Sequence, residues 1–304
     1  MHIRLFTKAI TIFLTTVVAV VNAQSQNLSP VFMYYMNKDN MQVVYWDSLE
    51  KYEGGSWSWD LQDTFRKNAR RYTKMLLDDN KIAEVRYDRE VLKAADGTDA
   101  DFGLRNEWYA MKGIRYTLVN PNAVHDTEYS NTSFHLLMTP DYMTSHKLLP
   151  IQYVESEEGE TPMPAFILRQ LQAKFGEVER SQKVAVIDNR YTYGVVQFKP
   201  KGNKVVALEV LAVDGKAYYE VEEADYDAQE PYSIWNVDDD GNYGPANILA
   251  AFEGNDGPEV YFVRWAPESA TPGCMSLAGG RLQRNTLPGY YVYPENPKPE
   301  GIEN

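Results

Sequence analysis

The stretch Lys183–Glu223 constrains the fold of this 304-residue chain more than any other. It contains four segments rich in apolar residues, VAVI, YTYGVVQF, VVALEVLAV and KAYYEVEE, which are separated by turn residues. Because successive side chains of a β-strand point to opposite faces, VVALEVLAV is apolar on both faces except at Glu209. Such a strand is typical of the centre of a sheet that is covered on both sides.

Turn residues join these segments into hairpins. Asp214-Gly215 offers a two-residue turn whose positive φ angles suit a hairpin, and Pro200–Asn203 forms the connection before it. After Asp214-Gly215, apolar residues alternate with Glu220 and Glu222, a pattern that indicates one side facing solvent. The stretch therefore predicts an antiparallel meander.

Residues 1–23 have the pattern of a cleaved signal peptide. A short basic leader precedes the apolar run Ala9–Val21, and Val21-Asn22-Ala23 places acceptable residues before a cleavage point. The run is shorter than the roughly 20 residues that a membrane span needs. We expect cleavage after Ala23, export to the periplasm or the cell exterior, and no transmembrane segment.

Charge and cysteine content argue against several classes of protein. The chain has 43 acidic and 30 basic residues, which gives a net charge of −13. Nucleic acids and anionic membranes attract basic surfaces, so this balance disfavours both as partners. Cys274 is the single cysteine, so no disulfide can form within the chain and its stability must come from burial.

Two segments have the periodicity of an amphipathic helix. The first carries an apolar stripe at Leu61, Phe65, Ala69, Tyr72 and Leu76. The second carries Leu168, Leu171 and Phe175, and Gly176 is placed to end it. Strand-like segments follow each helix. Because a helix stripe can be buried against one face of a sheet, the sequence predicts an α+β fold of two helix-plus-antiparallel-sheet modules, rich in β-structure.

An acidic segment divides the chain. Residues 154–163 contain four glutamates and offer little to bury, so we interpret them as a linker. The sequence then predicts an N-terminal domain over 24–153 and a C-terminal domain over 164–293. Prolines among polar residues predict a disordered tail over 294–304. A long acidic surface loop within a single domain is the alternative interpretation.

The sequence predicts no cofactor, although the spacing of one loop suits calcium. Asn236, Asp238 and Asp240 place oxygen atoms at alternate positions before Gly241. However, Asn247 stands where an EF-hand has a bidentate glutamate, and the flanking segments do not have a helical pattern. A hairpin turn explains the same residues, and we favour this interpretation.

Few residues qualify as catalytic or binding candidates. Cys274 is not followed by a helical pattern that would lower a thiol pKa, so we expect a buried structural residue. The histidines after the leader, His125, His135 and His146, fit no local zinc pattern. Trp57 and Trp59 lie beside two glycines ahead of a helix, and we expect them to be partly exposed rings that can bind sugars or proteins.

These observations favour an exported, non-catalytic binding or envelope accessory module that recognises a macromolecule or a glycan. Neither a nucleophile motif nor a phosphate-binding loop is found in the sequence. The alternative is a secreted hydrolase, directed at a glycan or a peptide, whose site is assembled from distant residues. A deep polar cleft would favour the enzyme, and a flat aromatic face would favour the binding module. The oligomeric state stays open.

Overall fold

The structure is a computed structural model, and it describes residues 28–37, 40–44, 59–77, 80–91, 113–123, 133–154, 161–232, 234–235, 240–266 and 269–285. The predicted signal peptide, the predicted disordered tail and residues 155–160 of the acidic linker lie outside these ranges.

Six antiparallel strands of the N-terminal half form a closed barrel. They are β1 (Val31–Asn37), β2 (Asn40–Val44), β3 (Lys74–Leu76), β4 (Ile82–Val91), β5 (Gly113–Leu118) and β6 (Ser133–Met138), in the order β1-β2-β5-β4-β3-β6. Helix α1 (Trp59–Asn68) and a 3-10 turn (Ala69–Arg71) precede β3. Phe65 and Tyr72 pack with Val43 and Tyr116 in a buried core. Closure pairs the strands on both sides and so leaves fewer exposed edges.

The first predicted helix is shorter than its apolar stripe suggested. Helix α1 ends at Asn68, and Leu76 lies in a strand that pairs with β4 on one side and β6 on the other. The chain leaves the helix at the 3-10 turn, where the Tyr116 hydroxyl donates to the Ala69 carbonyl at 2.8 Å. Pairing with two strands satisfies the backbone of the β3 residues, which a helical pattern alone cannot reveal.

The C-terminal half forms two further antiparallel sheets. The five-strand sheet contains β7 (Ile151–Tyr153), β8 (Val178–Ile187), β9 (Tyr191–Phe198), β10 (Lys204–Val213) and β11 (Lys216–Asp225), in the order β11-β10-β9-β8-β7. The four-strand sheet contains β12 (Asn247–Glu253), β13 (Pro258–Ala266), β14 (Ser269–Ala278) and β15 (Arg281–Asn285), in sequence order. The predicted meander is confirmed by β9, β10 and β11, and Asp214 and Gly215 have φ angles of 49° and 78°.

The four-strand sheet lies between the barrel and the five-strand sheet. Tyr261 of β13 packs with Phe32 of the barrel, at 6.3 Å between ring centroids. Phe262, the next residue, packs on the opposite face with Tyr193 of β9. Both residues are buried, so β13 is covered on both sides. The fold is therefore stacked in layers, and the polar groups between the two sheets are shielded from water.

Helices make up a minor part of the molecule. Besides α1, the described residues form α2 (Pro140–Ser145) and α3 (Ala165–Phe175), and α3 covers the outer face of the five-strand sheet through Ile167 and Leu171. The predicted β-rich, antiparallel character is confirmed. The even balance of helix and sheet that an α+β label implies is not found, because the second sheet rather than a helix covers the inner face of the meander.

Proteolysis offers a test of how the two halves are held together. We expect cleavage within residues 155–160 to yield two fragments that elute together on size exclusion in native buffer. Strand β7, which precedes this segment, pairs with β8, and the Leu149 N–H donates to the Ala251 carbonyl at 2.8 Å. The same fragments should separate in urea. Independent elution in native buffer would instead support two separable domains.

Candidate functional site

Acidic and tyrosine side chains gather where the five-strand sheet meets the four-strand sheet. The register of β10 and β11 places Glu209 opposite Glu220, and Glu222 follows two residues along β11. Paired residues share a face of the sheet, as do residues two apart along a strand. Tyr193 of β9 is also on this face. Together with three residues from the opposing side, they form the inter-sheet cluster: Tyr193, Glu209, Glu220, Glu222, Tyr243, Arg264 and Arg284.

Glu209 forms the deepest ion pair of the cluster. Its side chain is 0% exposed, and it pairs with the guanidinium of Arg264 from β13, whose side chain is 19% exposed. The guanidinium carbon of Arg264 also lies 4.6 Å from the centroid of the Tyr243 ring. Removing two charges from water is costly, and an apolar pair of similar volume is often equally stable or more so. The pair therefore suggests a role other than stability.

Arg284 of β15 holds the outer part of the cluster. Its Nε lies 2.9 Å from the carboxylate of Glu220, and its other end pairs with Glu222. The side chains of Glu220, Glu222 and Arg284 are 26%, 29% and 33% exposed, so solvent reaches this side of the cluster. Burial raises the pKa of the Glu220 carboxyl, and the nearby Arg284 partly offsets this effect.

Two phenol groups point into the cluster without the hydrogen bonds that buried hydroxyls normally make. Tyr243 is 4% exposed, and among the described residues its hydroxyl has no hydrogen-bond partner. Tyr193 is fully buried, and the backbone N–H of Ala246 lies beside its oxygen while its own proton has no acceptor. Burial raises the pKa of the Tyr243 hydroxyl, and Glu222 raises it further. Such buried groups call for an explanation.

A buried glutamine fixes the loop that supplies Tyr243. The Gln197 amide donates to the Gly241 carbonyl at 2.9 Å, and the Tyr243 N–H donates to the Gln197 side-chain oxygen at 2.7 Å. The Trp235 ring meets the Tyr243 ring edge-on, with centroids 5.0 Å apart. Gly241 has a φ of 73°, and a Cβ there would come within 2.4 Å of the Pro231 carbonyl oxygen. The loop is thus seated firmly over one end of the cluster.

The loop that might bind calcium is only partly described. Asn236 and Asp238 lie outside the described residues, whereas Asp240 is exposed and has a φ of 52°. Asp240 and Gly241 are consecutive left-handed residues, the backbone of a tight turn. Across the described residues, no group of three or more His, Cys, Asp or Glu side chains is arranged to hold a metal ion.

Calcium titration distinguishes the two interpretations of this loop. We expect millimolar calcium to leave the melting temperature unchanged, because a turn with solvated carboxylates gains little from the ion. A true site would raise the free energy of unfolding by about 2.7 kcal/mol at a hundredfold excess over Kd. A rise in melting temperature that disappears in Asp240→Ala would overturn the turn interpretation.

The other residues singled out in the sequence lie away from this cluster or outside the described residues. Trp57 and His125 are not described, and Trp59 begins α1 without a described side chain. Cys274 is buried, as expected, and lies in a core cluster with Tyr261. The remaining histidines have local partners: His135 Nδ1 lies 3.0 Å from the Leu76 carbonyl, and the His146 ring stacks on Tyr142 at 4.0 Å.

The prediction that Glu220 and Glu222 face open solvent is wrong. Both lie on the inner face of the five-strand sheet and pair with an arginine of the other sheet. Alternation identifies residues that share a face, but it does not distinguish a wet face from one that meets a charged partner sheet. One signal was available for the deeper part of the cluster, namely the single glutamate, Glu209, in an otherwise apolar central strand.

Comparison of the chain with protein-family models, with curated proteins and with solved structures finds no match. The helices among the described residues are all too short or too polar to cross a membrane. Functional interpretation therefore rests on the geometry of the inter-sheet cluster.

Proposed function

We propose that the protein is an exported, non-catalytic module that binds a glycan at the inter-sheet cluster. The observation that carries this proposal is the buried Tyr243 hydroxyl, which has no partner among the described residues although charged groups surround it. An unsatisfied buried hydroxyl costs about 1–3 kcal/mol, and a ligand that supplies the missing hydrogen bond removes this cost. The hydroxyl is therefore suited to a ligand rather than to the free protein.

The composition of the cluster favours a ligand with many hydroxyl groups. Carboxylates accept hydrogen bonds from sugar hydroxyls, and guanidinium groups donate to them, so Glu220 and Arg284 can bind the same ring from two sides. The rings of Trp235 and Tyr243 add apolar area beside these charges. A few polar groups converging next to aromatic rings are typical of small-molecule sites.

Export and modular folding belong to the same proposal. The basic leader, the apolar run Ala9–Val21 and the Val21-Asn22-Ala23 site support removal of residues 1–23. The helices α1 and α3, each associated with antiparallel strands, support two helix-plus-sheet modules. N-terminal sequencing of exported protein should give Gln24 as the first residue. A different start would count against export by this signal.

A secreted glycan hydrolase is the second candidate, and one observation favours it. Glu209 and Glu220 face each other across β10 and β11, and glycosidases use two carboxyl groups of which one has a raised pKa. Burial raises the pKa of Glu220. Against catalysis, each carboxylate is already paired with an arginine, Arg264 or Arg284. We therefore retain binding as the proposed function.

A glycan array separates these outcomes. We expect the secreted protein to bind a subset of oligosaccharides, and Tyr243→Phe to weaken that binding about tenfold, the effect of one lost hydrogen bond. Tyr87→Phe is the matched control, because Tyr87 packs against the barrel core. Mass spectrometry should recover the bound glycan intact. Cleavage that stops in Glu220→Gln would establish the hydrolase, and an array without binding would refute the proposed function.

A further inference from the structure

The charges of the inter-sheet cluster do not balance. Glu209 is matched by Arg264, but Glu220 and Glu222 share the single guanidinium of Arg284. Three carboxylates and two guanidinium groups leave one net negative charge among the described residues. This surplus lies on the side that solvent reaches, where Glu222 is 29% exposed.

Neighbouring cations do not cancel this surplus. Arg180 is on the same face of the sheet, opposite Gln197, but three strands separate it from Glu222, about 14 Å by strand spacing. Lys204 pairs with Glu223 and Asp225 instead, at 3.3 Å and 2.9 Å. The charged groups that act on the Tyr243 hydroxyl are Glu222, Arg284 and Glu220.

The phenol oxygens add to the negative potential at the same place. Tyr243 is 4% exposed, its hydroxyl has no partner among the described residues, and Glu222 is the charge with the largest effect on it. The oxygen of Tyr193 also affects this hydroxyl electrostatically. A carboxylate with surplus charge beside an unpartnered phenol presents hydrogen-bond acceptors to a cation.

We infer that the glycan recognised at the inter-sheet cluster carries a free primary amine, which binds as an ammonium group between Glu222 and Tyr243. This inference rests on the proposed function. An ammonium group has three donors and one positive charge, so it meets both the surplus charge and the unpartnered hydroxyl. An N-acetylated sugar lacks this charge, and a uronic acid would add a like charge to the three carboxylates.

Calorimetric titration with two tetrasaccharides tests the inference. The probes are β-1,4-linked glucosamine and its fully N-acetylated counterpart, at pH 6.5. We expect the amine form to bind at least about tenfold more tightly, the effect of one charge-assisted hydrogen bond. In Glu222→Gln this preference should fall to less than about twofold, within the effect of one neutral contact. Glu223→Gln, which removes the adjacent charge that pairs with Lys204, should keep the preference.

A pH series guards against a folding defect in the variant. At a pH above that at which the sugar amine loses its proton, the unmodified protein should lose its preference for the amine form. Equal binding of both probes at pH 6.5, or a preference that survives in Glu222→Gln, would overturn the inference and leave the proposed function in place. Failure of the array to detect any glycan would refute the proposed function itself.

Discussion

Replacing Arg264 with methionine is expected to lower the free energy of unfolding by about 3–5 kcal/mol. The substitution leaves Glu209 at 0% exposure without the guanidinium that balances its charge. An isolated buried carboxylate loses its hydration and gains no compensating interaction. The packing of the methionine side chain is similar in length, so the loss of charge should dominate.

Urea denaturation of three variants checks this expectation. The double variant Glu209→Leu/Arg264→Met should recover most of the lost stability, because it removes both charges together. Arg190→Met is the surface control: its pair with Asp214 is 56% and 68% exposed and should contribute less than about 1 kcal/mol. If Arg264→Met costs no more than Arg190→Met, the cluster is not the desolvated site that we describe.

Truncating Phe252 to alanine is expected to cost about 3–5 kcal/mol, the range for a fully buried phenylalanine. Phe252 lies in β12, and its ring meets Tyr142 at 5.4 Å and Tyr261 at 5.8 Å, both edge-on. Tyr142 belongs to α2, which follows the barrel strand β6. The truncation would therefore leave a cavity where the four-strand sheet packs against the barrel.

Chemical denaturation of Phe252→Ala, followed by tryptophan fluorescence and by far-ultraviolet circular dichroism, measures this effect. Phe166→Ala is the matched control, because Phe166 is 43% exposed on α3 and should lose little on truncation. Similar losses in the two variants would contradict the layered packing of the four-strand sheet against the barrel.

Local sequence signals predicted the meander but not what covers it. Alternating side chains and the Asp214-Gly215 turn depend on neighbouring residues, so β9 to β11 could be predicted. Leu76 was placed in a helix because its spacing continued a stripe, whereas pairing with two distant strands decided its conformation. Local patterns lose their value where contacts come from far along the chain.

The candidate site depends almost entirely on such distant contacts. Glu209 could be noticed as a charge in an apolar strand, but its partner Arg264 lies on another sheet. Arg284 pairs with Glu222 across 62 sequence positions. Nothing in the spacing of these residues indicates that they meet. The unpartnered hydroxyl of Tyr243 is a property of the packed structure, and a sequence cannot reveal it.

The free energy of unfolding of Tyr243→Phe, measured by urea denaturation without glycan, tests most directly whether the inter-sheet cluster is arranged for a ligand. Tyr72→Phe is the control, because the Tyr72 hydroxyl donates to the Ser29 carbonyl at 2.9 Å and its loss should cost about 1 kcal/mol. For Tyr243→Phe we predict unchanged stability or a gain of up to about 1 kcal/mol, since its hydroxyl is unsatisfied in the free protein. A loss as large as that of Tyr72→Phe would mean that the fold itself uses this hydroxyl, and it would contradict the proposed binding site.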